Sequence, residues 1–86
     1  MNKRKLLSRI WNNQKNVNFH DFVSLVEAHK FYCAGGKGSH SIFKCRTIAE
    51  SINIQNDNGN AKPYQVKQFL SLITKYNLKL EGSDEQ

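Results

Sequence analysis

The chain has 86 residues, which is enough for one domain and too few for two. A domain of this size buries only about 60–65% of its unfolded surface, which excludes a deep cofactor cleft between lobes and favours a macromolecular substrate at an open surface. Thirteen Lys and Arg residues against seven Asp and Glu give a formal net charge of +6, and only four of the acids lie in residues 1–80. This excess predicts nucleic-acid binding; a basic surface that merely aids solubility is the alternative.

The cysteine content argues against a disulfide framework, because Cys33 and Cys45 are the only two cysteines. No signal peptide and no apolar run of about 18 residues is recognisable, so we expect a cytoplasmic protein with reduced thiols and no membrane association. No zinc-ligand spacing is present, and no metal or cofactor is expected.

The N-terminal half of the chain predicts two helices. Residues 1–16 form a basic helical arm, with a helix from Lys3 to Trp11 followed by a polar, turn-like run. The second helix is expected from Phe19 to Lys30, with Asn18 as its N-cap. Its stripe at helical spacing consists of Phe19, Phe22, Leu25, Val26 and His29. His29 is therefore expected in the core, and His20 towards solvent.

A β-hairpin is predicted next, with strands at 31–34 and 39–44 around a glycine-rich turn at 35–38. A turn centred on Lys37 pairs Phe31 with Phe43 and Ala34 with His40. In this register Cys33 and Cys45 lie on the face assigned to the helices, as small core residues. Tyr32 and His40 are neighbours on the open face.

The C-terminal half predicts a third strand over 51–55, a loop over 56–60 and a last helix that begins at Pro63 and ends near Tyr76 or Asn77. Residues 81–86 form an acidic, frayed tail. The predicted fold class is α+β. Without the arm, residues 17–80 have the element order α-β-β-β-α. We expect a three-stranded antiparallel sheet with the helices on one face, and this is the arrangement of the double-stranded-RNA-binding domain.

The glycine-rich turn holds the residues most suited to chemistry on a phosphodiester. Gly36 and Gly38 let the backbone approach a phosphate, Lys37 adds a cation, Ser39 adds a hydroxyl, and His40 titrates near neutral pH. RNA cleavage by 2′-hydroxyl attack needs a base, an acid and positive groups around the phosphorane. The alternative is an ordinary hairpin turn followed by an exposed histidine.

Four further residues are candidate RNA contacts. Tyr32 can stack on a base or shield the sheet, and Lys44 and Arg46 on the same face can contact phosphates. Lys62 adds charge where the N-terminus of the last helix already attracts anions. For each of these cations, a solvated side chain is the alternative.

The run from Lys37 to Phe43 resembles the Gly-Ser-His-x-x-Phe signature of HicA toxins, and the stretches 52–55 and 62–70 resemble the third strand and final helix of one branch of that family. The resemblance covers residues 17–80 and leaves the basic arm outside the family domain. It implies a fold like the double-stranded-RNA-binding domain, mRNA cleavage through His40, and a HicB-type antitoxin that covers the active surface. No second acid or base is evident beside His40.

A non-catalytic RNA-binding module is the second expectation, and a protein that docks on an acidic partner is the third. The sequence predicts neither the RNA sequence preference nor the oligomeric state.

Overall fold

A computed structural model describes residues 2–80 of the chain. It contains three helices and one antiparallel sheet. In chain order the elements are α1 (Lys3–Asn12), α2 (Phe19–Ala28), β1 (Phe31–Lys37), β2 (His40–Cys45), β3 (Ser51–Asp57), β4 (Asn60–Ala61) and α3 (Pro63–Tyr76). The α+β class is confirmed. The expected acidic tail, residues 81–86, lies outside the described residues.

The helix ends follow from local capping. The side chains of Asn2 and Asn18 accept hydrogen bonds from the backbone N–H groups three residues ahead, at 2.8 Å and 3.0 Å, so both helices start with a satisfied donor. Helix α3 has Pro63 in its first turn and ends at Tyr76, as expected, where Asn77 forms a left-handed C-cap. Helix α2 ends at Ala28, two residues before the predicted end, because Lys30 turns to φ +72°.

The sheet has four strands in the order β1-β2-β3-β4, so the prediction of three strands is wrong. The expected loop over 56–60 is instead a second hairpin. Asn58 and Gly59 both take positive φ, 54° and 90°, as a type I′ turn requires. This turn pairs Asp57 with Asn60 and adds the short strand β4.

The predicted register between β1 and β2 is also wrong. Phe31 pairs with Cys45 and Tyr32 with Lys44, two residues beyond the expected partners. The turn contains only Gly38 and Ser39, and a bulge interrupts β1 between Cys33 and Gly35. Because the shift near Phe31 is an even number of residues, Phe31 and Phe43 still share the inner face of the sheet.

The core lies between that inner face and the helices. Phe69 of α3 is at its centre, with edge-to-face contacts to Phe22, His29 and Phe31 at ring-centroid distances of 5.7, 5.3 and 5.7 Å. Leu6 and Ile10 of α1 belong to the same buried cluster, so the basic N-terminal helix packs on the body of the domain.

The helical layer covers β1 only at Phe31, and the other residues of this edge strand are exposed. Cys45 is buried as expected. The prediction that Cys33 is a core residue is wrong, because the helices do not cover this part of β1.

The described residues contain no helix long and apolar enough to cross a membrane.

Candidate functional site

The turn between β1 and β2 positions the candidate catalytic histidine. Lys37 and His40 face each other across a turn made of Gly38 and Ser39. Gly38 has φ +63°, and glycine at the first of two turn residues is what a type II′ hairpin turn requires. Side chains of directly opposed residues have Cβ atoms about 5 Å apart, so the Lys37 ammonium can reach the same phosphate as the His40 imidazole.

His40 begins a central strand and has a neighbour on each side. Its cross-strand partner on β3 is Gln55, so Lys37, His40 and Gln55 form one row across the sheet. The imidazole is exposed and makes no hydrogen bond with any residue that the structure describes. A substrate can therefore contact it without displacing a protein partner, but no carboxylate or carbonyl group orients the ring.

Gly36 is the position where the hairpin tolerates no side chain. A Cβ atom added there would lie 2.3 Å from the carbonyl oxygen of His40 and 3.0 Å from Cα of Ser41. The contact between the Gly36 backbone and a phosphate remains a prediction. The observed geometry adds a packing role, because Gly36 lets β1 approach the backbone of His40 itself.

Gln65 is a residue of this region that the sequence analysis missed. It lies in the first turn of α3, is 3% exposed, and its Oε1 accepts the backbone N–H of Gln55 at 2.8 Å. Its Nε2 donates to the hydroxyl of Tyr64 at 3.3 Å. Ser39 is also anchored to β3, because its carbonyl oxygen accepts the N–H of Asn56 at 3.0 Å. The turn end of the hairpin and the start of α3 are thus joined through β3.

Tyr32, Lys44 and Arg46 form a second cluster, away from the turn. The guanidinium carbon of Arg46 lies 5.5 Å from the centre of the Tyr32 ring, a cation–π distance. Tyr32 pairs with Lys44, four residues along β2 from His40, which is about 13 Å at roughly 3.3 Å per residue. The expectation that Tyr32 and His40 are neighbours is therefore wrong, because the bulge and the two-residue turn move Tyr32 along the sheet.

Lys62 lies at the N-cap position of α3, as expected, and its ammonium is 3.7 Å from the carboxylate of Asp57. Both side chains are partly exposed, so the pair is weak. A phosphate at this helix end would compete with Asp57 for Lys62.

The other two histidines have no place in the site. His29 is 2% exposed, its Nδ1 lies 2.9 Å from the carbonyl oxygen of Leu25, and burial lowers its pKa. This agrees with the expected core role, and His20 is exposed as expected. Among residues 2–80 there is no cluster of three or more His, Cys, Asp or Glu side chains able to hold a metal ion.

Comparison with known proteins gives no match. No protein-family model matches the chain, and no curated protein or solved structure is significantly similar to it.

Proposed function

We propose that this protein is a metal-independent endoribonuclease of the HicA type, an mRNA interferase toxin, with His40 as its catalytic residue. The observation that carries the proposal is the Lys37–Gly38–Ser39–His40 turn. It sets an exposed imidazole opposite a lysine on a strongly basic domain. The sequence resemblance adds the family, the fold of the double-stranded-RNA-binding domain for residues 17–80, and a HicB-like antitoxin as partner. The cytoplasmic location proposed with it comes from the cysteine content and the lack of a recognisable signal peptide.

The reaction is transfer of the phosphodiester to the neighbouring 2′-oxygen. A base removes the 2′-hydroxyl proton, the 2′-oxygen bonds to phosphorus, and the bond to the 5′-oxygen breaks as that oxygen gains a proton. His40 performs one of the two proton transfers, and water or Lys37 performs the other. Lys37, the Ser39 hydroxyl and the backbone of Gly36 and Gly38 hold the charged phosphate.

The remaining candidate residues would align the RNA away from the reacting phosphate. In this proposal Tyr32 stacks on a base at the far end of the sheet, beside Arg46 and Lys44. Lys62 contacts a phosphate near the start of α3, where the helix dipole adds to its charge. The separation of about 13 Å between Lys44 and His40 corresponds to an RNA segment longer than one nucleotide.

The test compares purified wild type with His40→Ala and His20→Ala on single-stranded RNA in the presence of EDTA. His20 is an exposed histidine on α2, so its replacement controls for the loss of an imidazole. We expect wild type and His20→Ala to produce 2′,3′-cyclic phosphate ends, and His40→Ala to lose about 10²–10⁴ of the rate. Equal cleavage by His40→Ala would remove His40 from the mechanism.

A non-catalytic RNA-binding module is the second candidate function. The observation that favours it is that no described residue hydrogen-bonds to His40, whereas catalytic bases are usually oriented by a second group. It predicts RNA binding that weakens steeply with salt, RNA of unchanged length, and little effect of His40→Ala. Growth arrest on expression of wild type, relieved by a HicB-like protein, would instead favour the toxin.

A further inference from the structure

An open groove lies between the end of α1 and the start of α3, and none of the predicted site residues lines it. Its volume is about 570 Å³, and its walls include Trp11, Lys15, Pro63, Tyr64 and Lys67. Trp11 is 44% exposed and Tyr64 is 64% exposed, so both rings present apolar surface to solvent. A second hollow of about 520 Å³ continues on the other side of Trp11 along α3 towards Lys75.

The groove is basic, and its charge follows from the elements that build it. Residues 1–20 and 58–80 contain no Asp or Glu at all. No acidic side chain lines the groove among the described residues, whereas Lys15 and Lys67 both do. The groove therefore favours an anionic occupant.

The combination of exposed aromatic rings and lysines matches the chemistry of single-stranded nucleic acid. Unpaired bases stack on aromatic side chains, and the phosphates between them contact lysine or arginine. An acidic peptide would satisfy the lysines, but its carboxylate side chains would gain nothing from the two exposed rings. A regular duplex would leave both rings unused, because its bases are already stacked.

The groove is connected to the candidate cleavage site. The Tyr64 hydroxyl accepts a hydrogen bond from Gln65, whose Oε1 binds the backbone N–H of Gln55. Gln55 is the cross-strand neighbour of His40. Gln55 and Gln65 thus link the row that contains His40 to the Tyr64 side of the groove.

We infer that this groove binds a single-stranded segment of RNA, with bases stacked on Tyr64 and Trp11 and phosphates at Lys15 and Lys67. The inference rests on the proposed function, since it extends the path of the RNA substrate beyond the cleavage site. It also gives the N-terminal helix a role, because α1 supplies Trp11.

The experiment uses Trp11, which is the only tryptophan of the chain, as an intrinsic fluorescent probe. Single-stranded oligouridine is titrated into the full-length His40→Ala protein, which binds without cleaving if the proposed function holds. We expect quenching of Trp11 fluorescence. We also expect Tyr64→Ala to weaken binding by about 5- to 100-fold, the range for loss of one stacked base. Lys67→Gln should weaken binding and reduce its salt dependence.

Two matched variants separate stacking from other effects. Tyr64→Phe loses the hydrogen bond to Gln65 but keeps the ring, so it should bind like the parent. Tyr76→Ala removes another exposed tyrosine, at the opposite end of α3, and should also leave affinity unchanged. Thermal unfolding of each variant checks that the fold is retained.

The outcomes also distinguish this inference from the proposed function. Unquenched Trp11 fluorescence, or unchanged affinity in Tyr64→Ala, would overturn the inference that the groove binds RNA, even if wild type cleaves RNA. Quenching that depends on Tyr64 would support the groove even if wild type leaves RNA intact. Equal quenching by a duplex, or quenching by polyglutamate but not by RNA, would also overturn it.

Discussion

Gly36→Ala is expected to displace the backbone of His40 and so reduce RNA cleavage in a protein that still folds. The added Cβ would lie 2.3 Å from the His40 carbonyl oxygen, whereas ordinary van der Waals contact begins at 3.4 Å. Because this oxygen belongs to the backbone and cannot rotate away as a side chain would, the two strands must separate by about 1 Å. A misplacement of about 1 Å in a catalytic group can reduce the rate about 10²-fold. Overpacking of this kind costs about 1–3 kcal/mol of the free energy of unfolding.

The assay measures kcat/KM for RNA cleavage and the midpoint of thermal unfolding on the same samples. Gly59→Ala is the matched control, because Gly59 has φ +90° in the other hairpin turn and a Cβ there meets nothing within 4 Å. Forcing alanine into a left-handed conformation costs about 1–2 kcal/mol, so this control loses stability without moving β1 against β2. Wild-type cleavage by Gly36→Ala, or equal loss of cleavage in both variants, would show that the position of β1 against His40 does not control the rate.

Three further predictions concern the core, the link to α3 and the sheet face. Burial holds the pKa of His29 below its ordinary value of 6.5, so below that pH the unfolded chain binds more protons than the folded one. The free energy of unfolding should therefore decrease as the pH falls through this range, by at most about 1.4 kcal/mol per pH unit. His29→Phe should flatten that slope in urea titrations at several pH values, and an unchanged slope would contradict the assignment. Gln65→Leu leaves the Gln55 N–H without its acceptor and should lower the free energy of unfolding, measured by chemical denaturation, by about 1–3 kcal/mol. A decrease below about 0.5 kcal/mol would show that water replaces the amide as acceptor. Tyr32→Ala removes a stacking surface beside Arg46 and should weaken RNA binding by about 5- to 100-fold, as measured by fluorescence anisotropy. Unchanged affinity would indicate that Tyr32 only covers the sheet face and does not contact RNA.

The helices could be predicted from the sequence because their determinants are local. Asn18 accepts the N–H of Asp21 within one turn, and Pro63 begins α3 where proline fits best. The apolar spacing of Phe22, Leu25 and Val26 directs one face of α2 into the core, and all three are fully buried. The burial of His29 follows from the same periodicity.

The strand register could not be predicted, because the glycines around the turn permit several pairings. An even shift keeps Phe31 and Phe43 on the same face, so the hydrophobic pattern does not discriminate between the two registers. The bulge before Gly35 leaves no signal that alternation can detect. The turn at Asn58–Gly59 had a local signal, but its polar flanking residues concealed a strand as short as β4.

Gln65 was missed for a different reason. A polar residue in the first turn of a helix is usually solvated, and only the tertiary position of β3 turns it into a buried acceptor for Gln55. One observation in the sequence could have indicated it. Gln65 precedes Phe69 by four residues and so shares the helix face that points into the core.

Strand β1 is the longer of the two edge strands of the sheet, and this has a consequence for behaviour at high protein concentration. An edge strand offers unpaired N–H and C=O groups to any other extended chain, which is a common route to aggregation. Here the bulge after Cys33 divides the edge into two short segments, and Lys30 and Lys37 place positive charge at both ends. A second copy approaching this edge would meet a mismatched hydrogen-bond ladder and like charges. The irregularity that shifts the register thus also discourages edge-to-edge assembly of the hairpin that carries His40.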